Sequence, residues 1–151
     1  MKFAIAQYTN LSQERNNWIT DLSVELKSFF ENRNYGDDLK ELYFGLITVK
    51  PEFDQFFKKK KPQYRPGERT TTVDSREIKT NNCVEIDCKL DFTQVSDLDK
   101  GELISKVCEE ILRESDSLTR ILKLKEFDFQ AYKSDLQSYF WDKKYIQKKI
   151  L

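Results

Sequence analysis

The segment Val84-Glu85-Ile86-Asp87-Cys88-Lys89-Leu90-Asp91-Phe92 alternates strictly between apolar and charged side chains. In an extended chain successive side chains point to opposite faces. Val84, Ile86, Cys88, Leu90 and Phe92 therefore share one face, and Glu85, Asp87, Lys89 and Asp91 share the other. This pattern predicts a strand over 83–92 with one buried and one wet face, the usual arrangement in an antiparallel sheet. Asn81-Asn82, just upstream, tolerates left-handed backbone and marks a hairpin turn. The Thr-rich stretch 70–80 is then the partner strand, and 62–68 is an irregular loop.

Working toward the N-terminus, Leu42-Tyr43-Phe44-Gly45-Leu46-Ile47-Thr48-Val49 is almost unbroken apolar sequence closed by Pro51. Its length and flanks predict a buried central strand. Gly45 within it marks close packing or a bulge. Pro51 can open a short helical turn that places Phe53, Phe56 and Phe57 on one face. Residues 2–8 alternate weakly and predict a first strand. Between the two, Trp18, Leu22, Leu26, Phe29 and Phe30 recur at helical spacing behind Asn10 as N-cap.

Toward the C-terminus, Ser96 as N-cap and Asp99 at N3 predict a long amphipathic helix reaching Leu122. A last helix starts near Asp128, with Phe129, Tyr132, Leu136, Tyr139 and Phe140 on one face. Together these elements predict a single α+β domain over residues 1–151. Its mainly antiparallel four-stranded sheet (2–8, 42–49, 70–80, 83–92) carries three helices (near 11–32, 97–122 and 128–142) on one face. The run 42–49 belongs at the centre and the Thr-rich strand nearer an edge.

Composition narrows the function. The chain has 151 residues, enough to bury about 68–70% of its unfolded surface. Lys plus Arg and Asp plus Glu both total 26, so the formal net charge is zero. A protein devoted to polyanions normally carries a basic excess, because phosphate contacts dominate its affinity. Histidine is absent, which removes the commonest general acid–base group and the Ser–His and Cys–His nucleophilic devices. Cys83, Cys88 and Cys108 form no C-x-x-C pair, and Cys83 and Cys88 fall on opposite strand faces. No zinc site and no cofactor is expected. The N-terminal apolar run is too short for a signal peptide, and no stretch nears the roughly 20 apolar residues of a membrane span. The cytoplasm, with reduced thiols, is the expected location.

Three constellations remain. Acidic-x-Lys occurs as Asp87-Cys88-Lys89 and as Glu77-Ile78-Lys79, and alternation puts carboxylate and ammonium on one face. With Asp74 added, this is the donor pattern of a metal-dependent nuclease. The same pairs arise by chance on any wet strand of a chain that is one-third charged. Lys58-Lys59-Lys60-Lys61 beside Phe53, Phe56, Phe57 and Tyr64 has the make-up of a single-strand nucleic-acid module. Helical spacing of the phenylalanines favours core for the rings and a solvated loop for the lysines. The third is the charged face of 83–92, where Glu85, Asp87 and Asp91 outnumber Lys89. A local negative stripe suits recognition of a basic partner, where charge speeds encounter and fixes register.

The residues Tyr35-Gly36, Gly45-Leu46-Ile47-Thr48-Val49-Lys50-Pro51-Glu52-Phe53-Asp54-Gln55-Phe56-Phe57 and Lys61-Pro62-Gln63-Tyr64 resemble immunity proteins of bacterial polymorphic-toxin and contact-dependent growth-inhibition systems. The 84–92 strand and the closing Phe127-Asp128-Phe129 fit the same resemblance, which covers most of the chain. It implies a small, non-enzymatic α+β protein, encoded beside a toxin, that binds and blocks the toxin's C-terminal domain, a nuclease in one version. The resemblance transfers no functional residues. Glu85, Asp87 and Asp91, with Lys59, Lys60 and Tyr64 as a second group, are the partner-binding residues expected from charge and exposure. The oligomeric state is left open.

Overall fold

In the computed structural model, residues 1–50, 62–73, 75–121 and 126–147 are described, without the side chains of 65–73, 76–81, 120 and 121. Four strands form one sheet: β1 (Lys2–Tyr8), β2 (Glu41–Val49), β3 (Gln63–Val73) and β4 (Arg76–Asp91), in the order β1-β2-β4-β3. Helices α1 (Gln13–Phe30), α3 (Lys100–Ser115) and α5 (Phe129–Asp142) are the long ones. The four-residue turns α2 (Phe92–Val95) and α4 (Leu118–Ile121) flank α3.

The sheet is mixed and mostly parallel, which corrects the antiparallel expectation. β1 pairs with β2 and β2 with β4 in parallel, and only β3 with β4 is antiparallel. The physical reason lies in the connections. Helix α1 carries the chain back along the sheet, so β2 starts at the same end as β1, as a crossover requires. Between β2 and β4 the chain reverses through β3, so β4 again runs with β2. Alternation on β4 reports burial of one face, not strand direction.

The hairpin also differs from expectation. Its turn falls between Val73 and Arg76, where Ser75 takes a φ of 62°, and β4 runs unbroken through Asn81-Asn82. Gln63–Val73 is strand where a loop was expected over 62–68. Asn82 does adopt left-handed backbone, with φ 48°, but inside the strand. It lies opposite the register shift between Arg65 and Glu68, a bulge that Pro66-Gly67 supplies. Asn82 is held there because its side-chain amide donates to the Asp37 carbonyl (2.7 Å) and its own carbonyl accepts from Lys40 N–H (2.9 Å).

Helix boundaries shift for similar local reasons. Ser12, not Asn10, caps α1 by accepting from Arg15 N–H, and Asn10 N–H instead ties the entry to the helix to Thr48 Oγ on β2 (2.9 Å). Asp99, not Ser96, caps α3, accepting from Glu102 N–H at 2.8 Å. α3 stops at Ser115 rather than running on to Leu122. There the Ser115 hydroxyl turns back to the Ile111 carbonyl, and that of Ser117 to the Glu114 carbonyl. Asp128 caps α5 as expected. The helical turn expected after Pro51 lies outside the described residues.

One face of the sheet makes the core. Phe3 and Ile5 of β1, Leu42, Phe44 and Leu46 of β2, and Val84, Ile86, Cys88 and Leu90 of β4 are buried with Ile19, Leu22, Leu26 and Phe30 of α1. Leu103, Val107, Cys108 and Ile111 of α3, and Tyr132, Leu136 and Phe140 of α5, complete it. Phe3 stacks on Phe30 with ring centroids 4.9 Å apart. As expected, the apolar run is a central strand and the Thr-rich one an edge strand. All three cysteines are buried thiols, and Cys83 and Cys88 do lie on opposite faces of β4. Among the described residues no helix is long and apolar enough to cross a membrane.

Candidate partner-binding face

The face of the sheet turned away from the three long helices is built in rows by the parallel register. From the N-terminal end these rows are Lys2–Glu41–Cys83, Ala4–Tyr43–Glu85, Ala6–Gly45–Asp87 and Tyr8–Ile47–Lys89, with Val49 and Asp91 beyond. Cys83 and Val49 are buried there yet stand outside the core cluster. Small residues on β1, a glycine on β2 and a carboxylate on β4 make the middle row the lowest of the face.

Gly45 shapes that row. A methyl group at its position would lie 3.0 Å from Asp87 Oδ1 and 3.5 Å from Cε2 of Tyr8. The Asp87 carboxylate and the Tyr8 ring thus lean over Gly45 from the two flanking strands, and the missing side chain lets them converge. Tyr8 is 65% exposed, a large aromatic left in solvent. Glu85 is exposed, and Asp87 is half-buried on the same face.

The other sequence-predicted residues divide. Asp91 serves the fold, since its Oδ1 accepts from Thr93 N–H (2.9 Å) and Thr93 Oγ–H (2.7 Å) and so caps α2. Tyr64 belongs to the opposite face, opposite Val84, and packs against the core. Its hydroxyl donates to the Asp38 carbonyl (3.0 Å), tying β3 to the loop before β2. Burial first, and the nearby Asp38 charge second, push its phenol up from the ordinary value. Lys59 and Lys60, with Lys58, Lys61, Phe53, Phe56 and Phe57, lie outside the described residues.

For the nuclease pattern, Asp87 and Lys89 do share a face. Asp74 lies outside the described residues, as do the side chains of Glu77 and Lys79. Among the described residues no three acidic or cysteine side chains are grouped to hold a metal ion.

At the C-terminal end of β2 and β4 a cleft of about 390 Å³ opens between the sheet and α3, lined among others by Lys89, Asp91, Lys106, Glu110 and Arg113. Glu110, only 6% exposed, is ion-paired with Arg113. These groups answer one another in charge, and the cleft has little of the apolar lining that small-molecule sites use.

Sequence reasoning missed Tyr8. The only signal for it is an aromatic at the outward-facing end of a strand. That signal becomes legible once the register brings β1 beside Gly45 and Asp87.

A model of one protein family, described as Imm44, Immunity protein 44, matches residues 1–142, which hold every strand and helix above. No curated protein and no solved structure matches the chain.

Proposed function

From the premise that the chain belongs to the Immunity protein 44 family, non-enzymatic inhibitors of polymorphic-toxin systems, we propose that it blocks the C-terminal domain of a toxin encoded beside its own gene. We place the contact on the face of β1, β2 and β4 turned away from the long helices. The single observation that carries the function is the family match across residues 1–142. The observation that carries the place is the wet face of β4, where Glu85 and Asp87 stand clear of the core while every second residue is buried in it.

An acidic face suits a basic partner. Enzymes that act on nucleic acid present such surfaces to phosphate, so a nuclease toxin of a contact-dependent inhibition system is the version we favour. Inhibition then follows from coverage: a protein seated on the basic site excludes substrate without chemistry of its own.

Co-expression tests this directly. Cells producing the neighbouring gene's C-terminal toxin domain should stop growing, and production of this chain should restore growth and yield a stable complex on purification. A toxin that kills undiminished, with no complex recovered, refutes the proposal.

A further inference from the structure

The middle row of the outward face has the chemistry of a receptor for one cationic side chain. The Asp87 carboxylate and the Tyr8 ring both lie within 4 Å of the point where a Gly45 side chain would begin. A carboxylate gives a cation charge-assisted hydrogen bonds, and a tyrosine face attracts it through the ring quadrupole. Ala4, Ala6 and Gly45 put nothing longer than a methyl group on the sheet beneath the carboxylate and the ring. Glu85 and Lys89 stand two residues either side of Asp87 on the same face of β4, one negative and one positive, and Lys89 also lines the cleft at the strand's end.

We propose that the notch formed by Asp87, Tyr8 and Gly45 receives a lysine or arginine side chain from the toxin domain and fixes the register of the complex. This rests on the toxin-binding function proposed above, and commits it to one anchoring contact. Charge selects the occupant. An acidic group meets repulsion from Asp87 and Glu85, and an apolar one strands the half-buried carboxylate without a partner.

The test uses the full chain and the purified C-terminal domain of the neighbouring toxin, with affinity read by titration calorimetry. Asp87→Asn keeps the shape and removes the charge. It should weaken binding about 30-fold or more, the scale for losing one partner of a desolvated ion pair. Tyr8→Leu keeps an apolar cover and removes the quadrupole, and should weaken binding by roughly 2- to 10-fold. Both variants should unfold at the wild-type urea midpoint. The wild-type complex should also lose affinity with added salt more steeply than the Asp87→Asn complex.

Replacing the toxin's lysines and arginines singly by alanine should reveal one position whose loss is not additive with Asp87→Asn. If both variants bind within twofold of wild type while the chain still protects cells, the notch is refuted and toxin binding stands. If the wild-type chain neither binds nor protects, both proposals fall together.

Discussion

Replacing three of the glycines by alanine, one at a time, should give three different outcomes that the backbone already ranks. Gly36 has φ 130°, where residues with a side chain are strained, and a Cβ there would stand 1.9 Å from the Glu126 carbonyl oxygen. Real Cβ atoms essentially never come within 3.0 Å, so one backbone segment must retreat by about 1 Å. That retreat strikes a seam of three bonds: Asp38 N–H to the Glu126 carbonyl, Glu126 N–H to the Asp38 carboxylate, and Asp128 N–H to the Tyr35 carbonyl. Backbone strain costs about 1–3 kcal/mol, and each bond lost costs roughly 0.5–1.5 kcal/mol. With two bonds weakened, Gly36→Ala should cost about 2–6 kcal/mol, a large share of the roughly 5–15 kcal/mol typical of a domain. For a chain of this size that lowers Tm by roughly 4–24 °C. At Gly45 the obstacle is the far end of the Asp87 side chain, which can rotate, so Gly45→Ala should stay within about 1 kcal/mol of wild type. Gly101 sits exposed in the first turn of α3, where an added Cβ would lie 3.6 Å from Asp99 Oδ1, an ordinary contact, so Gly101→Ala should gain about 0.4–1 kcal/mol. Urea unfolding, with the midpoint moving and the slope unchanged, reads all three. A Gly36→Ala protein as stable as wild type, or any other ranking, refutes the reasoning.

Ser115 and Tyr132 form a buried hydroxyl pair at 2.8 Å, and Ser115 spends its proton on the Ile111 carbonyl, so the phenol must donate. Ser115→Ala then strands a buried phenol, at about 1–3 kcal/mol, whereas Tyr132→Phe costs about 0.5–1.5 kcal/mol. The double variant should cost less than the two singles together in urea unfolding, and strict additivity would refute the pairing. A second expectation concerns alkaline pH. Burial first, and the Glu25 charge second, push the Tyr139 phenol up to about 12. Burial first, then hydrogen bonds to Asp135 and Glu25 respectively, hold Tyr35 and Tyr145 higher still. Unfolded tyrosines ionise near 10, so above about pH 10 the unfolded chain binds fewer protons than the folded one. Stability should be level up to about pH 9 and fall as pH rises past 10, with a shallower fall in Tyr145→Phe. A urea midpoint unchanged up to about pH 11 would refute it.

What the sequence made legible depended on the range of the force behind it. Burial of alternate residues from Val84 to Leu90 and the apolar run of β2 are written in single residues, and both strands stand where expected. The helical stripe of Tyr132, Leu136 and Phe140 is equally local. Strand direction is not, because it depends on how the chain travels between β2 and β4, and no residue of either strand carries that information. The hairpin turn was misplaced for a subtler reason. Asn82 has the backbone freedom of a turn residue and uses it, but its amide bonds to the Asp37 carbonyl, a contact 45 positions away in the chain. The candidate face was half legible. Alternation exposes Glu85 and Asp87, whereas Tyr8 joins them through the register, and Asp91 leaves them because Thr93 follows closely enough to be capped.

The two faces of β2 and β4 answer to different demands, and their separation suits an inhibitor matched to one partner. Inward residues such as Phe44, Leu46, Ile86 and Cys88 are wholly buried, where truncating a large aliphatic or aromatic side chain costs about 2–5 kcal/mol and a change of shape disturbs its neighbours. On β4 the outward residues one position away, Glu85, Asp87 and Lys89, reach solvent, and surface substitutions usually stay within about 0.5 kcal/mol. A one-residue offset along the same strand thus divides positions that hold the fold from positions free to follow a changing toxin. Because β2 and β4 are the two central strands, the outward side chains are carried on the backbone with the most neighbours on either side. The backbone beneath a residue such as Asp87 is therefore held by the sheet, while the side chain it carries can change without unsettling the fold. A held backbone under changeable side chains is what a surface needs if affinity is to come from preorganised charge rather than from ordering a loop on contact.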